Sequence, residues 1–158
     1  MPILSSLKAF LDKHDAEYTH SVHEPAFTAK QLAAIDHVPE GRVAKTIVFL
    51  ADDCFAMAVL PANERVNIAM LGSAVGARQI RLATESELNQ LFPDCEVGAM
   101  PPFGSLFGLP VYIDGELATQ NRVEFLGGTH RDVIHMKFAE FVRLADPLVL
   151  HFGVRAAA

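Results

Sequence analysis

Cysteine is scarce in this chain. Cys54 and Cys95 are the only two, far apart and outside any C-x-x-C. That argues against a disulfide framework and against a thiolate zinc site. Long apolar runs are missing as well. None approaches the roughly 18 residues of a membrane span, and the opening M-P-I-L-S-S-L-K has no signal-peptide core. A soluble, cytoplasmic protein with no membrane partner is expected. Basic residues are outnumbered, 13 against 19 acidic, for a formal charge of −6. A broad non-specific nucleic-acid surface needs a basic footprint, so DNA is not an expected partner. A small basic patch that holds one end of an RNA stays open. Neither G-x-x-x-x-G-K-[ST] nor G-x-G-x-x-G occurs, which leaves nucleoside-triphosphate and dinucleotide binding without support. There is no internal repeat, low-complexity tract or linker-like stretch.

What the chain does have is apolar residues, 51% over 158 positions. That is enough for one domain, residues 1–158, with a real core. Ser5 or Ser6 is placed to cap a first helix carrying Leu7, Phe10 and Leu11. Tyr18 to Val22 reads as a strand, broken by His23-Glu24-Pro25. Thr28 with Gln31 is a capping box, opening a helix through Leu32 and Ile35. Val43 to Leu50 and Phe55 to Leu60 read as an antiparallel hairpin turning at Asp52-Asp53. Asn67 to Val75 has helical spacing, weakened by Gly72 and ended by Gly76. Gln79 to Leu82 is a short strand. Thr84 with Glu87 is a second capping box, opening a helix stopped at Pro93-Asp94. Further strands are expected at Leu109 to Ile113, Val123 to Leu126 and Val133 to Met136. A last helix runs from Lys137 to Leu144, followed by a mildly apolar tail. Strands come in clusters rather than alternating with helices, which is an α+β pattern.

The stretch from Gly98 to Tyr112, G-A-M-P-P-F-G-S-L-F-G-L-P-V-Y, stands apart. Three glycines and three prolines suit neither a helix interior nor a central strand. They suit a rigid loop with bare main-chain amides and carbonyls, where a ligand can approach closely. A tight connector between helix and strand explains the same composition. Lys45 is the second notable feature. Alternation in V-A-K-T-I-V-F-L places it on one strand face with Ile47 and Phe49. A lysine there either lines a polar cavity or snorkels from a strand end to water. His130, in the glycine-rich turn G-G-T-H, is on pattern alone an exposed loop histidine. Asp114-Gly115 is adequately explained as a turn.

The segments "VAKTIVFL", "RLATESEL", "DCEVGAMPPFGSLFGLPVYID" and "GGTHRDVIHM", in this order, resemble the YbaK family. That family is the free-standing relative of the editing insertion of bacterial prolyl-tRNA synthetase. The resemblance runs from about Tyr18 to Pro147. It implies a mixed, barrel-like β-sheet flanked by short helices. It also implies a deacylase acting in trans, which hydrolyses the ester of mischarged tRNA carrying a small amino acid.

On the same ground Lys45, Gly98 and His130 are expected to be catalytic. Ala99, Met100, Pro101, Pro102, Phe103, Gly128 and Thr129 are expected to bind substrate. The lysine would hold a phosphate or carbonyl oxygen as a compact point charge. The Gly98 loop would orient the ester and stabilise an oxyanion. His130 would line the amino-acid pocket or act as a general base. No cofactor and no metal are implied. The expected partners are the 3′-terminal adenosine of aminoacyl-tRNA and a synthetase.

The alternative is a non-catalytic module that binds tRNA, aminoacyl-adenosine or a synthetase. A thiol hydrolase built on Cys95 and His130 is disfavoured, because Asp94 and Glu96 would raise the thiol pKa. His20-x-x-His23 suits no known zinc pattern.

Overall fold

The computed structural model describes residues 4–156. Helix α1 spans Ser5–Lys13 and buries Leu7 and Leu11. Its N-cap is Leu4, without a side-chain hydrogen bond, so Ser5 and Ser6 lie inside the first turn rather than capping it. The Leu4 amide instead donates to the Gly127 carbonyl, fixing the helix start to a distant turn. Strand β1 is Tyr18–Val22 and helix α2 is Ala29–Asp36. The Thr28–Gln31 capping box is formed in both directions, and His37 ends the helix in the left-handed region at φ 56°.

Strands β2 (Ala44–Ala51) and β3 (Cys54–Pro61) pair antiparallel along their whole length. At the turn, Asp52 takes φ 52°, and its Oδ1 accepts from the Arg78 and Gln79 amides. A short strand, β4, follows at Glu64–Val66. Helix α3 (Ile68–Val75) is capped by Asn67 and closed by Gly76 at φ 71°, with Gly72 inside it. Strand β5 is Ile80–Leu82, and helix α4 is Glu85–Leu91, capped reciprocally by Thr84 and Glu87. Strand β6 (Val111–Asp114), β7 (Arg122–Leu126) and β8 (Asp132–Lys137) precede helix α5 (Phe138–Ala145). Two strands unforeseen in the apolar tail complete the chain, β9 (Leu148–Leu150) and β10 (Gly153–Arg155).

The strands form three ladders. A five-stranded mixed sheet runs β5-β2-β3-β6-β9, antiparallel up to β3 and parallel beyond it. An antiparallel sheet runs β1-β8-β7, and β10 pairs with β4. The first two sheets meet at a single parallel bridge, Val43 to Glu124. The expected α+β class and mixed sheet are therefore present, with the barrel left unclosed among the described residues.

The main core lies between these sheets and helices α1 and α5. Phe103 is fully buried in it, with ring centroids 5.6 Å from Phe10, 5.4 Å from Phe125 and 5.7 Å from Phe141. Burying such a ring contributes about 1.5–3 kcal/mol. Phe103 thus roots the glycine-proline loop in the core at one end and leaves Gly98 exposed at the other.

Candidate active site

An open cleft of about 350 Å³ lies where the two larger sheets meet. Its floor is apolar, formed by Leu32, Val43, Met100 and Phe125. Its rim is polar, formed by Thr28, Lys45, Thr46 and the main chain at Gly98. The cleft widens outward past Lys30 and Ala62. Each wall has a local cause. The start of β2 brings Lys45 and Thr46, and the capped first turn of α2 brings Thr28 and Ala29. The loop rooted by Phe103 brings Gly98 and Met100.

Lys45 is half-buried, opposite Leu60 in the hairpin register. Among the described residues no carboxylate lies within ion-pairing distance of it. Burial holds its ammonium below the ordinary lysine range, and Lys30 pushes the same way, opposed by Glu64 and Glu40. Lys30 itself stands 3.9 Å from Glu40. Two cations therefore face an outward-opening cleft, one of them without a close counter-charge.

Gly98 adopts φ 90°, a left-handed conformation that side chains rarely tolerate. Among the described residues the Gly98 and Met100 amides donate to no backbone carbonyl. Several neighbouring groups are engaged. The Glu96 amide donates to the Gly128 carbonyl at 2.8 Å, and the Gly128 amide donates to the Ala99 carbonyl at 2.9 Å. The His130 amide donates to Glu96 Oε1 at 2.7 Å. The loop 96–99 and the turn 127–130 are thus stapled together, main chain to main chain.

His130 is placed behind this loop and does not line the cleft. Its Nε2 lies 2.9 Å from the Val97 carbonyl oxygen and its Nδ1 lies 3.1 Å from that of Ala26. Both nitrogens therefore face backbone carbonyl oxygens. A neutral ring can donate to only one of them. The ring also packs on Phe27, centroid to centroid 4.9 Å. Phe27 is 69% exposed and lines the cleft. Nothing in the sequence reading pointed to it. Its place depends on His130, 103 positions later, which no local pattern reveals.

The other expected residues divide clearly. Met100 lines the cleft with Gly98 and Lys45. Ala99, Pro101, Pro102 and Phe103 turn their side chains into the interior. Gly128 takes φ 103°, and a Cβ built there would lie 2.7 Å from Leu4 Cβ. Thr129 is buried; its Oγ1 donates to Asp132 Oδ2 and accepts from the Arg131 and Asp132 amides. These residues shape the loop and turn from inside.

The thiol alternative gains nothing here. Burial, with the Asp94 charge, pushes the Cys95 thiol up to about 11, and His130 is committed to carbonyls. Asp114 is more than a turn residue. It is buried, and its carboxylate accepts from the Phe152, Gly153 and Glu116 amides. Glu64 lies beside it: a Cβ built on Gly153 would meet Glu64 Oε1 at 2.3 Å and Asp114 Cγ at 3.2 Å. Burial pushes Glu64 up to about 7, with the Asp114 charge adding to the effect.

A half-buried lysine, two loop amides without a backbone partner among the described residues, and an apolar floor share this one cleft. The fold is that of known solved structures. One, a hypothetical protein, superposes with a TM-score of 0.85 at 21% identity, covering 95% of this chain and 100% of its own. A second, a candidate trans-editing enzyme for prolyl tRNA synthetase, gives 0.82 at 22% identity, covering 96% of each chain.

The chain belongs to the aminoacyl-tRNA editing domain family, whose pattern matches residues 23–144. Among curated relatives it is 25% identical over 151 residues to the multifunctional Ser/Thr-tRNA deacylase ProXp-y of Escherichia coli, covering 92% of this chain and 90% of that protein. It is also 34% identical over 120 residues to the proline–tRNA ligase of Solidesulfovibrio magneticus, covering 75% of this chain but only 20% of the ligase. Among the described residues no helix is long and apolar enough to cross a membrane.

Proposed function

We propose that this protein is an aminoacyl-tRNA deacylase that edits mischarged tRNA in trans, as one unit of residues 1–158. The observation that carries this reading is that Lys45, Gly98 and Met100 line one cleft with an apolar floor. Water adds to the ester carbonyl, and the resulting oxyanion is held by preorganised donors. The carbon–oxygen bond to the ribose then breaks. The products are a free amino acid and the hydroxyl of the 3′-terminal adenosine. The ester is already activated, so positioning alone supplies much of the acceleration.

In this proposal the Lys45 ammonium anchors a phosphate or carbonyl oxygen of the tRNA terminus, and the Gly98 and Met100 amides face the developing oxyanion. The floor of Leu32, Val43, Met100 and Phe125 receives a small side chain. The apolar pocket discriminates by about 1–3 kcal/mol per methylene, the step a synthetase itself handles poorly. His130 positions the Gly98 loop. Ala99, Pro101, Pro102, Phe103, Gly128 and Thr129 support its shape. The modest cationic rim, Lys30 with Lys45, grips only the end of a tRNA, and a synthetase supplies the remaining contact surface.

A panel of tRNAs mischarged with alanine, serine, threonine and cysteine tests the reading, with wild type and Lys45→Ala compared side by side. Hydrolysis of at least one ester, lost in the variant, is expected. Tight binding of charged tRNA with an unchanged ester half-life would instead establish the non-catalytic module. Equal hydrolysis by both proteins would remove Lys45 from the mechanism.

A further inference from the structure

A second cluster of chemically able side chains lies outside the cleft. His23 follows β1, Asp36 ends α2, and His135 sits in β8. One ligand atom from each lies within 4.8 Å of those of the other two. His23 Nε2 is 3.1 Å from Asp36 Oδ1, and His135 Nδ1 is 3.4 Å from Asp36 Oδ2. Glu124 of β7 closes the group, with Oε1 3.2 Å from His135 Nδ1. None of the four lines the cleft. His20, the other histidine of the H-x-x-H pair, points elsewhere and meets Asp132 at 2.6 Å.

We propose that His23, Asp36 and His135, with Glu124 beside His135, form a binding site for a divalent first-row transition ion of the zinc class.

Three observations carry this. The spacing is right. Ligand atoms about 2.0–2.2 Å from a tetrahedral zinc ion stand roughly 3.4 Å apart; each histidine lies 3.1–3.4 Å from an Asp36 oxygen, and all three ligand atoms lie within 4.8 Å of one another. The donor set is right, since imidazole with carboxylate selects zinc and its neighbours over calcium or magnesium. The carboxylates also have capacity to spare. Among the described residues Asp36 Oδ2 and Glu124 Oε2 are buried without a hydrogen-bond partner, and the two side chains are only 9% and 6% exposed. Arg42 Nε, also buried, makes no hydrogen bond that would satisfy them.

An orienting partner is present as well. Ser21 Oγ lies 2.8 Å from His23 Nε2, a contact that the ion would replace, and 2.7 Å from His135 Nε2. A hydrogen bond from Nε2–H to that hydroxyl leaves the Nδ1 lone pair directed at the carboxylates. A lone pair facing carboxylate oxygens needs a cation between them, either a proton or a metal. The ion would fasten three separate pieces of chain. These are the segment after β1, the end of α2 and the β7–β8 ladder. The first two flank Phe27, Thr28 and Ala29, so the clasp would hold one wall of the cleft from behind.

The test uses the full chain, stripped with a chelator and titrated with zinc chloride by calorimetry. One equivalent binding at micromolar affinity or tighter is expected, with a raised melting temperature. Cobalt(II) should give visible ligand-field bands of a four- or five-coordinate site. His23→Gln and Asp36→Asn should each weaken binding at least about tenfold, while His20→Gln leaves it unchanged. Circular dichroism checks that each variant folds. If Asp36→Asn does not, His23→Gln, the more exposed position, carries the test. Absence of saturable binding would overturn the proposal and leave a proton-bridged network only. Undiminished binding by folded His23→Gln and His135→Gln would overturn it equally.

Discussion

The His130 ring stands directly behind Gly98: a Cβ built on that glycine would lie 3.6 Å from His130 Cε1. With Nε2 against the Val97 carbonyl, the ring serves as a backstop for the loop rather than as a base beside the substrate. His130→Ala should therefore lower deacylation by about 10–100-fold, since small misplacements at a reacting centre carry costs of that size. The shape of the pH–rate profile should not change. Loss of a titrating limb in the variant would identify the ring as a proton carrier instead.

Lys45→Ala should reduce kcat/KM about 10²–10³-fold if the ammonium stabilises charge in the transition state. The wild-type profile carries its own check. Burial and Lys30 lower the Lys45 pKa, so its positive charge is lost as pH rises through a value below the ordinary lysine range. Enzymic rate, corrected for alkaline ester hydrolysis, should fall at high pH earlier than an unperturbed lysine would allow. Single-turnover assays across the alkaline range measure this.

Glu64 predicts a stability trend. Its folded pKa of about 7 exceeds its ordinary value of 4.5. The native state thus binds the proton more tightly, and the stability this contributes is complete below pH 4.5. It is lost as pH rises through 7. Glu64→Gln keeps the neutral form at every pH. The variant should be more stable than wild type at pH 8, by about 1–3 kcal/mol, and nearly equal to it at pH 4.5. Urea melts at the two pH values distinguish the outcomes.

Gly104 has no room for a methyl group. A Cβ there would lie 2.0 Å from the Leu109 carbonyl oxygen and 2.7 Å from Val111 Cγ2. Backbone, rather than a flexible tip, must move. Gly104→Ala should destabilise the fold by about 1–3 kcal/mol or more and shift the Gly98 loop with it. Thermal unfolding measures the loss. A variant as stable as wild type would show that the turn after Phe103 yields easily.

Local chemistry was legible wherever a residue's role depends on near neighbours. Thr28, Asn67 and Thr84 sit at their helix starts, and Asp52 turns the long hairpin. The cap at Ser5 or Ser6 failed because the Leu4 amide is held by the remote Gly127 carbonyl. Strands β9 and β10 escaped because three residues carry little pattern. Their partners, β6 and β4, lie more than 30 positions away. Asp114 looked like a turn former because its three amide donors include two from the chain's far end. Within the cleft, Lys45 and Gly98 stood out as misfits in their own segments. Phe27 did not, since its importance comes from stacking on a ring that only the fold brings near. The run from Ala99 to Phe103 is unusual in composition, and most of its side chains serve the interior.

Two of the four links between residues 96–99 and 127–130 join peptide groups, which every amino acid other than proline supplies alike, and the other two use the Glu96 carboxylate and the His130 ring. Apart from those two side chains, the curve of the loop depends little on what hangs from it. Met100 projects into the floor from this indifferent frame. Under the proposed function, replacing it with something bulkier or slimmer would alter which acyl group is admitted while the surrounding bend holds its course. Descendants of this chain could thus change their preferred cargo through one codon, without first having to rebuild the groove.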